Sequence, residues 1–244
     1  MRTLTAALLM AGASAIAAPA LAADMPYYPP VIEIPDVDYG YSGAFYLRGS
    51  AGLNLMWAPR VVHPSAGPGF FAIDGFGYGY SVGAGVGFET GTGLRVDATI
   101  DLLNNEGMRA TIPPAASPPL TAGVHSLSLR STVILANAYY DFPIGDTSFG
   151  AAGGMFGYVG AGAGVALNDF VTSGPGPADT RTQNTSFAAA GMVGFGYDFG
   201  QIVADVGYRG LYINGLQNTV ATAPYYIDDN WVHEVRGTVR YRFN

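Results

Sequence analysis

From residue 43 onward the chain alternates apolar and polar or small positions with a period of two, the signature of strands with two unlike faces. In "GAFYLRGSAGLNLMW" (43–57), Phe45, Leu47, Ala51, Leu53, Leu55 and Trp57 share one face, while Tyr46, Arg48, Ser50, Gly52 and Asn54 share the other. A second strand, 77–89, sets Tyr78, Tyr80, Val82, Ala84, Val86 and Phe88 against a glycine row ending in Glu89. A third runs from Leu94 to about Leu103, with Leu94, Val96, Ala98, Ile100 and Leu102 opposite Arg95, Asp97, Thr99 and Asp101. A fourth lies within 126–142. There Leu127 and Leu129 have one parity and Ile134, Ala136, Ala138, Tyr140 and Phe142 the other, which a bulge near Arg130 would reconcile. The fifth covers roughly 155–167, with Val159, Ala161, Ala163, Val165 and Leu167 against Gly160, Gly162 and Gly164. The sixth (186–199) sets Phe187, Ala189, Val193, Phe195, Tyr197 and Phe199 against Ala188, Met192, Gly194 and Asp198. The seventh (202–213) sets Ile202, Ala204, Val206, Tyr208 and Tyr212 against Val203, Asp205 and Arg209. The eighth is "WVHEVRGTVRYRFN", whose polar face carries Glu234, Arg236, Arg240 and Arg242.

The connections alternate in length. Those near 58–76, 104–125, 168–185 and 214–230 are long; those at 90–93, 143–147 and 200–201 are short. Eight strands joined in this way predict an all-β fold, an eight-stranded antiparallel up-and-down transmembrane β-barrel with long loops outside and short turns in the periplasm. A soluble barrel would turn its bulky residues inward. Here the second face is glycine, small polar groups and charges, which suits the narrow interior of an eight-stranded barrel. Closure pairs every backbone N–H and C=O, as lipid requires. With the N-terminus periplasmic, Phe45, Phe88, Tyr140, Phe142, Tyr197, Phe199, Tyr241 and Phe243 fall at the periplasmic strand ends. Trp57, Tyr78, Tyr80, Phe187, Tyr212 and Trp231 fall at the outer ends. These are two aromatic girdles, as lipid–water interfaces favour.

Composition agrees. The chain has 35 glycines and no cysteine, and only 12% of its residues are charged. Its net charge is −7 and its basic residues are all arginines, with no basic cluster, which argues against nucleic acid. Residues 1–22 read as a secretory signal peptide: Arg2, an apolar run from Ala6 to Ala17, and an Ala20–Leu21–Ala22 site that places cleavage between Ala22 and Ala23. The run is too short for a spanning helix. Residues 23–42, "ADMPYYPPVIEIPDVDYGYS", read as a Pro/Tyr-rich periplasmic tail or linker, and the barrel occupies 43–244.

The segments "FYLRGSAGLNL", "ANAYYDF", "YVGAGAGVAL", "GFGYDFG", "DVGYRGL" and "VRYRFN" resemble the small Gram-negative outer-membrane barrels of the surface-antigen and porin family, related to OmpA-type transmembrane domains. The resemblance spans Ser42 onward and implies the outer membrane of a Gram-negative bacterium and surface-exposed loops. It implies outer-membrane lipid and lipopolysaccharide as surroundings. Tyr241 and Phe243 are similar to the closing signal that the barrel-assembly machinery reads, although Asn244 follows and Thr238 stands where that signal has glycine.

The polar faces bring Arg48, Arg95, Arg209, Arg236, Arg240 and Arg242 into the lumen with Glu89, Asp97, Asp101, Asp198, Asp205 and Glu234. Two roles fit them: a salt-bridge network plugging a narrow barrel, or a charged constriction passing small solutes. The plug is favoured because the lumen is narrow. The function expected is a structural surface protein supporting the membrane and displaying loops. The alternatives are a small-solute porin and a loop-mediated binder of haem or a host surface. His63 and His125, both in loops, are the residues a haem would use; no metal site or cofactor is expected. His125 stands beside Ser126, but no Ser–His–acid constellation is present, so no catalysis is expected.

Overall fold

The computed structural model describes residues 43–58, 60–62, 70–71, 73–114, 122–145, 154–175, 180–218 and 225–243. The cleavage site at Ala22 and Ala23, the tail at 23–42, and His63 lie outside the described residues. The described residues form thirteen strands: β1 (Ala44–Trp57), β2 (Arg60–Val62), β3 (Phe70–Phe71), β4 (Ile73–Gly75), β5 (Gly77–Glu89), β6 (Leu94–Ile112), β7 (Gly123–Pro143), β8 (Gly154–Ser173), β9 (Thr180–Asp198), β10 (Ile202–Ile213), β11 (Leu216–Asn218), β12 (Tyr225–Asp228) and β13 (Asn230–Phe243). Eight of them close an antiparallel ring in the order β1-β5-β6-β7-β8-β9-β10-β13, and β13 pairs back onto β1.

The register fixes the shape of this barrel. Cross-strand partners run from Met56 through Val232, Leu211, Ala190, Gly162, Asn137, Asp97 and Gly87 to Tyr46, returning to β1 ten residues from the start. A shear of ten over eight strands tilts them by roughly 40°. Phe45 and Trp57, on one face of β1, are then separated by roughly 30 Å along the axis at ~3.3 Å per residue. That spans a hydrocarbon core.

The faces sort as alternation requires. Leu53 is 74% exposed and Val235 62%, while Arg209, Glu234 and Arg240 on the inner face are no more than 1% exposed. A soluble barrel has the reverse arrangement; this one is transmembrane, with its apolar side chains facing lipid.

Two sequence expectations change. Residues 104–112, 123–125, 168–173 and 180–185 continue the wall of β6 to β9 rather than forming loops. The fourth barrel strand has no bulge at Arg130. β7 alternates without interruption: Leu127, Leu129, Ser131, Val133, Leu135, Asn137 and Tyr139 are buried, and Arg130, Ile134, Ala136 and Tyr140 are exposed. The irregularity lies on its partner β6, between Asn105 and Met108, where Gly107 has φ +84°. The parity of β7 misled because the outer part of the lumen is itself apolar.

β11, β12, β2 and β3 form a separate four-stranded sheet from the first and last outer connections. Its Leu216 and Ile227 are fully buried in the same cluster as Met56, Ala58, Ile213 and Phe170, so this sheet caps the outer end of the barrel.

Candidate functional site: the barrel lumen

The inner faces deliver side chains at every second residue, and the sequence divides them into two zones. Toward the outside, Leu103, Val133, Ala166, Ala188, Leu211, Ile213 and Val232 pack together as an apolar cluster interleaved with buried Asn54, Asn105, Ser131, Asn168 and Ser186. Below them lies the charged network.

Asp101 on β6 receives hydrogen bonds from Arg209 on β10 and Arg236 on β13, each at 2.7 Å. Glu234 on β13 receives Arg209 at 2.7 Å and Ser81 at 2.7 Å. Arg209 and Arg236 thus reach across the ring to a strand that is not their neighbour. One turn of the network lower, Asp97 takes Arg48 at 2.8 Å, Asn137 at 2.8 Å and the Tyr46 hydroxyl at 2.9 Å. Arg48 also donates to Tyr139 at 2.8 Å. At the periplasmic mouth Arg95 is held by Asp141 at 2.8 Å and stacks 3.7 Å over the Tyr139 ring. Arg242 bridges Asp198 at 2.6 Å and also contacts Glu89. Arg240, 1% exposed, is shared by Glu89 and Asp141 at 3.7 Å and Asp205 at 3.8 Å. Arg48 and Arg240 are direct cross-strand partners, with Asp97 beside the first and Asp205 beside the second.

The glycine rows give these groups their room. A Cβ on Gly83 would stand 2.0 Å from an Asp101 oxygen, one on Gly52 2.5 Å from a Glu234 oxygen, and one on Gly162 2.0 Å from the Asn137 amide oxygen. Glycine here is demanded by close approach of a neighbouring polar side chain, not only by the bulk of arginine.

All twelve lumen residues named from the sequence lie on the inner face and in ion pairs. A seventh acid, Asp141, was missed, although its parity, opposite to Tyr140 and Phe142, pointed inward. Tyr139 and Tyr158 were missed for the same reason; Tyr158 donates to Asp205 at 3.2 Å. The six arginines therefore face seven carboxylates. Such a set costs desolvation free energy that its pairing recovers only when each lone pair and N–H is engaged.

The outward aromatics lie at two levels. Near the periplasmic ends, Phe45 packs on Phe88 at 5.1 Å, Tyr197 on Phe199 at 4.7 Å and Tyr241 on Phe243 at 5.3 Å, with Tyr140 and Phe142 exposed beside them. At the outer ends Trp57 is paired across strands with Trp231, which packs on Tyr212 at 5.3 Å, and Tyr78, Tyr80 and Phe187 are exposed. Beyond this outer level the outward side chains include five charged ones, Glu106, Arg109, Arg130, Asp169 and Arg181. Arg181 donates to Asp169 at 2.9 Å and holds its carboxyl below the usual carboxylate range.

Among the described residues, no group of three or more His, Cys, Asp or Glu is arranged to hold a metal ion. His125 is half-buried on β7, and His63 lies outside the described residues. His233 faces lipid.

No protein-family model and no curated protein matches the chain. Solved structures do. Neisserial surface protein A is 20% identical, with 83% of this chain and 99% of that one covered and a TM-score of 0.49. The outer membrane protein OprG from Pseudomonas aeruginosa is 14% identical over 83% and 98%, with a TM-score of 0.48. Ail, the attachment invasion locus protein of Yersinia pestis, is 15% identical over 81% and 98%, with a TM-score of 0.36. At such values function does not transfer. The barrel's own geometry is that of a small Gram-negative outer-membrane barrel: closed, antiparallel, lipid-facing outside and charged within.

Proposed function

We propose that this outer-membrane barrel is a closed structural surface protein, without enzymatic activity, which braces the membrane and holds its outer connections at the cell surface. One observation carries the proposal. Arg209 and Arg236 span the lumen to Asp101, directly beneath an apolar layer that is itself capped by Leu216 and Ile227. Paired charges fill the lower part and apolar side chains with a buried Ser131–Asn168–Ser186 chain of hydrogen bonds fill the upper, which supports a lumen without a continuous aqueous path. The lipid-facing girdles suit phospholipid and lipopolysaccharide, and Tyr241 and Phe243 at the last strand are the groups the assembly machinery would read.

Planar-bilayer recording tests this. The purified barrel should give no steady conductance. A wild type that conducts small ions steadily would replace the plug with a charged pore.

A further inference from the structure

His233 stands second in the outward row of β13, after Trp231 and before Val235, Val239, Tyr241 and Phe243, and the lumen does not use it. It faces lipid on β13, between Leu55 of β1 and Gly210 of β10. An ionisable side chain turned toward hydrocarbon is costly and usually marks a function. Its Nδ1 is hydrogen-bonded to the Tyr208 hydroxyl across the strand. With that hydroxyl donating, the neutral ring carries its proton on Nε2, a second donor. Tyr208, His233, Trp231 and Tyr212 form a ladder, with ring centroids 6.0, 6.5 and 5.3 Å apart in turn, rising to the outer girdle. Beside it is a notch. Gly210 and Gly191 are cross-strand partners; a Cβ on Gly191 would meet nothing within 4 Å, and one on Gly210 only the Tyr208 ring at 3.5 Å or more.

We propose that this face is a binding site for an outer-leaflet lipid whose acyl chain bears a hydroxyl near the headgroup, as in lipid A, with the His233 Nε2–H donating to that hydroxyl and the chain lying in the Gly191–Gly210 notch. The depth selects the group. His233 lies two residues inward of Trp231, about 5 Å below the girdle. Ester carbonyls belong at the girdle itself, whereas a hydroxyl a few carbons down the chain reaches His233. The proposal rests on the outer-membrane reading.

The test uses the full barrel in nanodiscs containing phosphatidylethanolamine and lipid A in equal amounts, with lipid retained after mild detergent extraction measured by native mass spectrometry. Folding is checked separately by the compact band on unheated gels. Wild type should retain lipid A at least about fivefold over phosphatidylethanolamine, and should lose that preference for a lipid A analogue lacking the chain hydroxyls. His233→Leu and Gly210→Val, one removing the donor and the other filling the notch, should each reduce it to within about twofold of the bulk ratio. Equal retention of hydroxylated and unhydroxylated forms, an unchanged preference in His233→Leu, or a doubled mass showing a second barrel on this face would each overturn the site. Failure of wild type to fold into lipid would instead refute the membrane reading.

Discussion

Asp97 shows how one lumen carboxylate is committed. Its Oδ2 takes Arg48 and Tyr46 and its Oδ1 takes Asn137. Removing one partner of a buried pair costs about 3–5 kcal/mol, because the other charge is stranded. Asp97→Ala should therefore lower unfolding stability in urea, with lipid vesicles present, by about that amount. Asp97→Ala combined with Arg48→Ala should lose clearly less than the sum. Arg240 lies instead among Glu89, Asp141 and Asp205. The outward pair behaves oppositely. Asp169 is held below the usual range by an exposed arginine, so its contribution is complete above that range and fades as pH falls through the depressed value. Being screened by water and salt, it should matter little, and Asp169→Asn should leave the unfolding midpoint at neutral pH unchanged within error.

At the level of elements, β6 depends on a single irregular residue. Gly107, at φ +84°, shifts inward parity from Asn105 to Met108, so that Met108, Ala110 and Ile112 fill the outer lumen. A side chain there meets both the left-handed backbone and the Tyr78 ring at 2.7 Å. Gly107→Val should cost about 1–2 kcal/mol or more. Deleting Gly107 removes the extra residue and leaves Asn105 and Met108 both inward, so it should be better tolerated than Gly107→Val; refolding yield on unheated gels measures both. The last strand has a second role. Phe243 is exposed at the periplasmic girdle opposite Phe45, so Phe243→Ala removes little buried contact. Outer-membrane level in cells should fall more than stability in detergent does, and equal levels of mutant and wild type would show that Phe243 is not read during assembly.

Across the whole molecule the plug is shared between strands far apart in sequence. Arg209 lies 108 residues from Asp101, and Arg236 lies 135 from it. Loss of Asp101 leaves Arg209 and Arg236 to share the single carboxylate of Glu234. Asp101→Ala should accordingly destabilise more than Asp97→Ala, since Asp97 keeps only one close arginine partner. Bilayer recording should show no steady conductance in wild type and intermittent openings in Asp101→Ala. The outer apolar layer remains in that variant, so Asp101→Ala with Leu211→Ala should open further than either change alone.

The period of two, the turn residues and the sorting of aromatics belonged to the sequence, because in a strand every residue's face follows from its parity alone. That parity sufficed to place Arg48 and Arg240 inward and Phe45 and Trp231 outward. It could not say which arginine meets which acid. Those pairings depend on shear, and shear is set only when β13 closes on β1 ten residues out of step. It also could not say that Leu127 and Leu129 point inward. Leucine satisfies both lipid and a dry lumen, and only the height of the β6–β9 wall, carried above the girdles by Gly107 and the strands beyond it, decided between those two solvents.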